Sequence, residues 1–242
     1  LLLDSPIDRL KLRKDVRMFQ EMTAKEIVQK VFEGAGIPAS KLSWQLTRDP
    51  VKRTYCVQHR ESDWDFVRRL LEHEGIFWFL DEADDWKLVL ADSKDAFKPI
   101  EGEAEVPLVQ GRGEASGIFE LNVEHTWVSD EISLRDYNYE TPRVDLTETS
   151  QLGEVATRLF EFPGGFQTPS EGNALTKIRA EELRSREMVA TGQSDQLNFR
   201  PGRTFTLVDA DREPLAVDWL VRTARHVVTD ASSRGPAYVN AL

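Results

Sequence analysis

The sequence predicts an α+β chain built mainly from antiparallel strands with a few packed helices. Three observations carry that reading. Residues 55–93 signal strand, capped helix, strand, turn and strand in one compact run. Thr23-Ala24-Lys25-Glu26 opens another helix with a capping box. Beyond residue 117 the apolar residues switch to period-two alternation, interrupted by Gly and Pro turns and by one charged helix.

Residues 7–20 (IDRLKLRKDVRMFQ) mix helical and strand spacing and stay open between the two. After Thr23, the residues Ile27, Val28, Val31 and Phe32 make a helical stripe. Gly34-Ala35-Gly36 ends it, and Pro38 enforces the break. Residues 42–46 read as a short strand and Asp49-Pro50 as a turn. A strand from Tyr55 leads to Ser62, whose hydroxyl suits an N-cap. Asp65 stands three residues on, and Glu61 and Asp63 put negative charge near the positive end of the helix. Phe66, Val67, Leu70 and Leu71 form the apolar stripe, with Arg68 and Arg69 on the other side. Gly75 supplies a left-handed C-terminal residue. Ile76-Phe77-Trp78-Phe79-Leu80 predicts a strand covered on both faces. After an acidic turn at residues 81–85, Trp86, Leu88 and Leu90 alternate with Lys87 and Val89, so a second strand pairs back as a hairpin.

Residues 91–117 read as a connection with extended pieces, punctuated by Gly111, Gly113 and Gly117. Strands follow at 118–128 and 131–139; in the first, Phe119, Leu121 and Val123 alternate with Glu120, Asn122 and Glu124. Residues 141–150 look like an extended arm rather than a packed strand. Leu159-Phe160-Glu161-Phe162 runs into the turn Pro163-Gly164-Gly165. A helix from about 171 to 188, capped by Ser170, takes its phase from Leu175, Ile178, Glu182 and Leu183. Strand residues follow at 189–199. Arg200-Pro201-Gly202-Arg203 has the type II turn pattern. A strand at 204–208, a turn at 209–214 and a strand or strand pair at 215–228 complete the chain. Two subdomains are expected, an α+β one over 1–100 and one over 101–242 that holds the long helix at about 170–188.

A net charge of −11 with no basic stripe argues against nucleic acid as a partner. No apolar run approaches the roughly 20 residues that span a bilayer, so membrane insertion is not expected. The first residue is not Met and an apolar run starts abruptly, which leads us to expect a natural chain extending before Leu1. The single cysteine, Cys56, cannot make an internal disulfide. It reads as a buried strand residue. His59, three positions on, falls on the opposite face of a strand, which argues against a thiol–imidazole pair.

The residues offer little catalytic equipment. His73-Glu74 is half of a zinc-protease helix motif, but Phe77 stands where the second histidine belongs. His59, His73, His125 and His226 are scattered without ligand spacing. Gly111-Arg112-Gly113 lacks the rest of a phosphate-binding loop. Glu72, Glu74, Asp81 and Asp84 flank an aromatic strand, as the acids of a sugar cleft would. With Trp64, Trp78 and Trp86 they keep a cell-wall glycosidase or a carbohydrate-binding module open as the alternative function. There is no Gly-x-Ser-x-Gly elbow. No catalytic, cofactor-binding or metal-ligating residue is assigned, no cofactor is expected, and the chain is read as a non-enzyme.

Four stretches in order carry a resemblance. They are Tyr55-Cys56-Val57-Gln58 through Arg60-Glu61-Ser62-Asp63, Asp65-Phe66-Val67 and Glu74-Gly75-Ile76 to Leu88-Val89-Leu90-Ala91-Asp92-Ser93; Leu134-Arg135-Asp136-Tyr137 with Pro142-Arg143; Glu161-Phe162-Pro163-Gly164-Gly165; and Leu197-x-Phe199-Arg200-Pro201-Gly202-Arg203-x-Phe205-x-Leu207. Together they resemble the VgrG family, the spike proteins of bacterial type VI secretion systems, related to phage late control D and contractile-tail baseplate hub proteins. The resemblance implies a hub with small β-barrel-like domains that forms a homotrimer. The hub would dock a needle onto the hexameric Hcp tube and meet baseplate components and effectors. It also implies assembly in the bacterial cytoplasm and delivery by the contractile apparatus into a target cell. The family's first barrel segment and its C-terminal OB-fold and needle are not found in these residues, so the chain is expected to be a hub fragment.

Overall fold

The computed structural model describes residues 5–82, 85–109, 116–154, 157–208, 215, 217–227 and 239–241. The chain divides into two compact units, residues 1–94 and 95–242. Both mix helices with sheets, so the fold is α+β.

In the first unit the ambiguous opening resolves into two elements. Ser5 caps a 3₁₀ turn over Pro6–Leu12, with Asp8 closing a capping box and Pro6 pre-set at its start. The chain then becomes extended and forms strand β1 (Lys14–Thr23). Helix α1 (Ala24–Gly34) starts at the predicted box: Glu26 N–H donates to Thr23 Oγ1 at 3.2 Å and Thr23 N–H donates to Glu26 Oε2 at 2.8 Å. Strands β2 (Leu42–Gln45) and β3 (Lys52–Ser62), helix α2 (Asp63–Glu74), and strands β4 (Phe77–Asp81) and β5 (Lys87–Ala91) follow. β1 and β3 pair as an antiparallel ribbon. The other sheet has the order β2-β5-β4, with β5 parallel to β2 and antiparallel to β4. One core joins both helices to both sheets through Phe19, Val31, Phe32, Phe66, Leu70, Leu88 and Leu90. Phe19 stacks on Phe66 at 5.6 Å between ring centroids. Each fully buried ring is worth about 1.5–3 kcal/mol relative to exposure.

Two-sided burial falls on a different strand from the one the sequence favours. The aromatic strand β4 lies at the sheet edge: Phe79 is buried, but Trp78 is exposed and packs only edge-on against Trp64. β5 is central and buries Leu88, Val89, Leu90 and Ala91. A run of apolar residues does not reveal which member of a hairpin gains a second neighbour.

The second unit opens with the short strands β6 (Lys98–Pro99) and β7 (Glu105–Pro107). Then come β8 (Ile118–His125), β9 (Glu131–Asp136), β10 (Leu146–Gln151), β11 (Arg158–Glu161), helix α3 (Pro169–Arg184), β12 (Met188–Ser194), β13 (Arg203–Val208), β14 (Asp218–Leu220), β15 (Arg225–Val227) and β16 (Val239–Ala241). The sheets β15-β16-β12-β8 and β14-β13-β6, with β7 also on β13, share a core of Ile100, Val106, Ile118, Phe199, Phe205, Leu207 and Val221. A further sheet, β10-β9-β11, pairs β9 antiparallel to β10 and parallel to β11, and carries α3 on one face.

Two expectations change here. Part of the presumed arm, residues 146–151, is a packed strand with Leu146 buried; its apolar content is one residue, because β9 and α3 supply the rest of the cover. The helix starts earlier than Ser170. Thr168 is the cap, accepting from Glu171 N–H, and Pro169 takes the first helical position. α3 buries Gly172, Thr176 and Ala180 most fully, while Leu175 and Leu183 are half-buried against the same core. These small residues at i, i+4 and i+8 let it lie close against Phe166 and β10. The type II turn holds, with Gly202 at φ 81° and Arg203 N–H donating to Arg200 O at 3.2 Å. Gly111, Gly113, Asp84 and the turn at 209–214 lie outside the described residues.

Candidate assembly interface

The densest motif of the sequence, around the junction of β3 and α2, is a structural clasp. Arg60 occupies the left-handed region (φ 55°) where the β1–β3 register shifts by one residue. Ser62 Oγ accepts from Asp65 N–H at 3.0 Å and donates to Asp65 Oδ2 at 2.6 Å. Asp63 does more than bias the helix dipole. Its carboxylate, 1% exposed, accepts from Arg13 Nε at 3.0 Å, from Gln58 Nε2 at 2.9 Å and from Arg17 Nη2. Arg13 also donates to Gly34 O at 2.5 Å, so one guanidinium joins the end of α1 to the start of α2 and satisfies an orphan helix carbonyl. Arg69, on the polar side of α2, reaches back to fork Glu61 with contacts of 2.7–3.1 Å and to Val57 O at 2.6 Å. That hydrogen bonding holds the Glu61 carboxyl below its ordinary range. Gly75 closes α2 at φ 68°. Sequence reasoning found the caps but missed the Arg13–Asp63–Arg17 bridge, whose partners lie some 50 residues apart.

The candidate catalytic residues are dispersed or engaged. Cys56 is buried, and burial pushes its thiol up, while His59 is exposed. Glu74 is buried against Arg53 at 2.9 Å, and Arg48 donates to its backbone carbonyl. Glu72 pairs with Arg68 at 3.2 Å on the open face of α2. Arg53 also contacts His73 Nδ1 at 3.1 Å. Among the described residues no group of three or more His, Cys, Asp or Glu side chains is gathered as a metal would require. Trp64 is buried; Trp78 is exposed, and Trp86 lies half-buried beneath Lys41.

What the structure leaves open is surface. On the ribbon, Val16, Met18 and Tyr55 face outward, with Tyr55 OH donating to Met18 Sδ at 3.0 Å. In the second unit the sheet β10-β9-β11 exposes an aromatic group around its β11 edge. Tyr137 is 64% exposed, Tyr139 79%, Phe160 51% and Phe162 61%. The turn beneath them is rigid: Asp136 Oδ2 accepts from Gly165 N–H at 2.6 Å and Phe166 N–H at 3.2 Å, and Gly164 N–H donates to Arg135 O at 2.8 Å. Exposed aromatic residues held on a rigid turn are the composition of a protein–protein contact.

Comparison with known proteins fits such a surface. The family described as Phage tail baseplate hub (GPD) matches residues 1–232. The chain belongs to the phage tail baseplate hub family. Its curated relatives include the actin cross-linking toxin VgrG1 of Vibrio cholerae O1 (strain O395), 33% identical over 91% of this chain and 20% of that protein. The type VI secretion system spike protein VgrG3 of V. cholerae O1 (El Tor Inaba N16961) is 30% identical over 91% of this chain and 22% of its own length. The spike protein VgrG1a of Pseudomonas aeruginosa PAO1 is 28% identical over 88% of this chain and 34% of its own. The chain thus spans between a fifth and a third of these relatives. Among solved structures, the E. coli c3393 protein is described as a component of the type VI secretion system with structural similarity to the T4 tail proteins gp27 and gp5. It shares the hub fold at a TM-score of 0.68 and 15% identity, over 98% of this chain and 52% of that one. The prophage MuSo2 43 kDa tail protein of Shewanella oneidensis also has a TM-score of 0.68, at 12% identity, over 98% of this chain and 70% of that one.

Proposed function

We propose that this chain is the hub segment of a type VI secretion spike and works by shape and self-association, without catalysis. It forms a homotrimer, seats the needle on the hexameric Hcp tube, and meets baseplate components and effectors. The assembly forms in the bacterial cytoplasm and is driven outward by contraction into a target cell. The hub-family match over residues 1–232, with spike proteins among the curated relatives, is the observation that carries this reading. The geometry agrees with it: the dense polar motif is spent on bracing β3 against α2, and the uncommitted side chains are surface aromatics. A part that transmits thrust needs braced corners and wide contacts rather than a nucleophile. Among the described residues no helix is long and apolar enough to cross a membrane.

The test is to replace the matching segment of V. cholerae VgrG3 with these residues and to measure the mass of the purified product and its binding to Hcp rings. A threefold mass and ring binding are the expected results. A chimaera that is folded by circular dichroism yet neither trimerises nor binds Hcp refutes the proposal.

A further inference from the structure

The face of β10-β9-β11 turned away from α3 has a composition unlike the rest of its unit. Residues 95–242 carry 25 Asp and Glu against 15 Lys and Arg, while residues 1–94 are near balance at 17 against 16. Within that acidic unit, this face carries Arg158 and Arg135, and Arg143 is exposed in the loop that joins β9 to β10. Arg158 pairs with Glu131 at 3.1 Å, donates to the buried Ser133 at 2.7 Å and lies 5.5 Å over the ring of Phe160. Alternation along β9 puts Arg135 on the same side as Ser133, and Tyr137 follows it. Arg135 and Arg143 are exposed and have no ion-pair partner among the described residues. β11 is an edge strand of its sheet and carries Phe160, with Phe162 just beyond it.

The same unit offers the complement elsewhere. β8 is the edge strand of its own sheet. It presents Glu120 and Glu124 to solvent, and Glu101, Glu103 and Glu105 are exposed in the segment around β7. None of these five carboxylates has an ion-pair partner among the described residues. An acidic edge and a basic aromatic edge that do not pair within one chain can pair between two copies. Such a contact is heterologous and closes into a ring when its rotation divides the circle.

We propose that the basic aromatic face of Arg135, Tyr137, Phe160 and Phe162, with Arg143 in the adjoining β9–β10 loop, binds the acidic β8 edge of a second copy of this chain. This rests on the hub reading and names the surfaces through which neighbouring copies join. The rings supply desolvated contact area at the centre, and the arginines set partner and orientation against the opposite charge.

Sedimentation of the 242-residue chain over a wide concentration range tests it. The unaltered chain associates, and more weakly as salt rises. Arg135→Glu with Arg143→Glu weakens association roughly tenfold or more, and so does Glu120→Lys with Glu124→Lys. Combining all four reversals in one chain restores it, because the charges are exchanged and not lost. Tyr137→Ala with Phe162→Ala weakens association with no change in charge. All variants keep the circular dichroism and melting temperature of the parent, since the altered side chains are exposed. A parent that associates while both charge variants associate equally well overturns this assignment and leaves the hub reading standing. Failure of the fourfold variant to recover also overturns it. A patch variant that self-associates normally but loses binding to Hcp rings transfers the face to the tube and overturns the second-copy contact. A parent that stays monomeric at every concentration overturns this pairing, while the chimaera's mass and Hcp binding decide the hub reading separately.

Discussion

Replacing Asp63 by Asn tests whether the β3–α2 corner is held by charge. The substitution keeps the shape of the side chain and removes its negative charge at a position 1% exposed. In the parent, the carboxylate receives hydrogen bonds from Arg13, Arg17 and the fully buried Gln58. An amide accepts through one oxygen only, and its NH₂ then faces N–H donors. Hydrogen bonds to a charged partner are worth about 1.5–3 kcal/mol each, and breaking a fully buried pair costs about 3–5 kcal/mol. The loss here is smaller than that sum. The Arg13 and Arg17 side chains are 42% and 23% exposed and regain some hydration. Arg17 also keeps Asp15 at 3.5 Å and Gln58 at 2.8 Å. The expected destabilisation of the first unit is therefore about 3 kcal/mol, or about a hundredfold in the opening equilibrium. Hydrogen exchange read by mass spectrometry isolates this unit from the other. Amides of β1 and β3 should exchange about a hundredfold faster, while those of β12 and β13 stay unchanged. Exchange within threefold of the parent across β1 and β3 would mean that the bridge is incidental and that packing alone holds the corner. Asp65→Asn is the control: Asp65 is exposed and its carboxylate accepts from Ser62 Oγ, so the loss should stay below about 1 kcal/mol.

Gly75→Ala places a Cβ at φ 68° and should lower the stability of the first unit by about 1 kcal/mol, measured by urea denaturation. Gly172→Ala brings a Cβ to 2.5 Å from Phe166 Cε2 and 2.8 Å from Glu148 Cγ. Overpacking at about 1–3 kcal/mol outweighs a helix-propensity gain of up to about 1 kcal/mol, so α3 amides should exchange faster. The Glu61–Arg69 fork predicts a pH effect of known sign. Glu61 titrates below its ordinary value of 4.5 in the folded chain, so the stability it lends is complete above pH 4.5 and is lost as pH falls through the lowered value. The stability gap between the parent and Glu61→Gln should be constant above pH 4.5 and narrow as pH falls below it; a gap that does not narrow on acidification contradicts the fork.

Local chemistry was legible wherever neighbours in sequence are neighbours in space. The Thr23 box, the Ser62 cap, Gly75 and the Pro201-Gly202 turn are four-residue problems with one physical solution each. Sheet order was not legible. β5 became central because β2 pairs parallel to it from 46 residues upstream, and nothing inside the Leu88–Leu90 pattern announces that neighbour. The start of α3 was misplaced because Ser170 and Thr168 are both competent caps and Pro169 decides between them. The small-residue face of α3 escaped notice because apolar periodicity records large side chains, and the residues this helix buries most fully are Gly172, Thr176 and Ala180. The aromatic face was hidden for a related reason: alternation assigns Tyr137 and Phe160 to strands without saying which side of the sheet α3 will cover.

An exposed Leu or Val needs no explanation, because most protein surface is apolar. Several aromatic rings crowded around one sheet edge are different, since each forgoes burial that the nearby core could have supplied. Phe166, four residues beyond Phe162, takes that burial, packed against Gly164 and Gly172. The turn at Pro163-Gly164-Gly165 thus sorts two phenylalanines from one short segment, one inward and one outward. Asp136 fixes the turn by accepting from both Gly165 and Phe166. This short segment therefore does two jobs at once. It anchors the sheet to α3 with one ring and holds the other exposed, so the fixed turn and the open aromatic surface come from the same few residues.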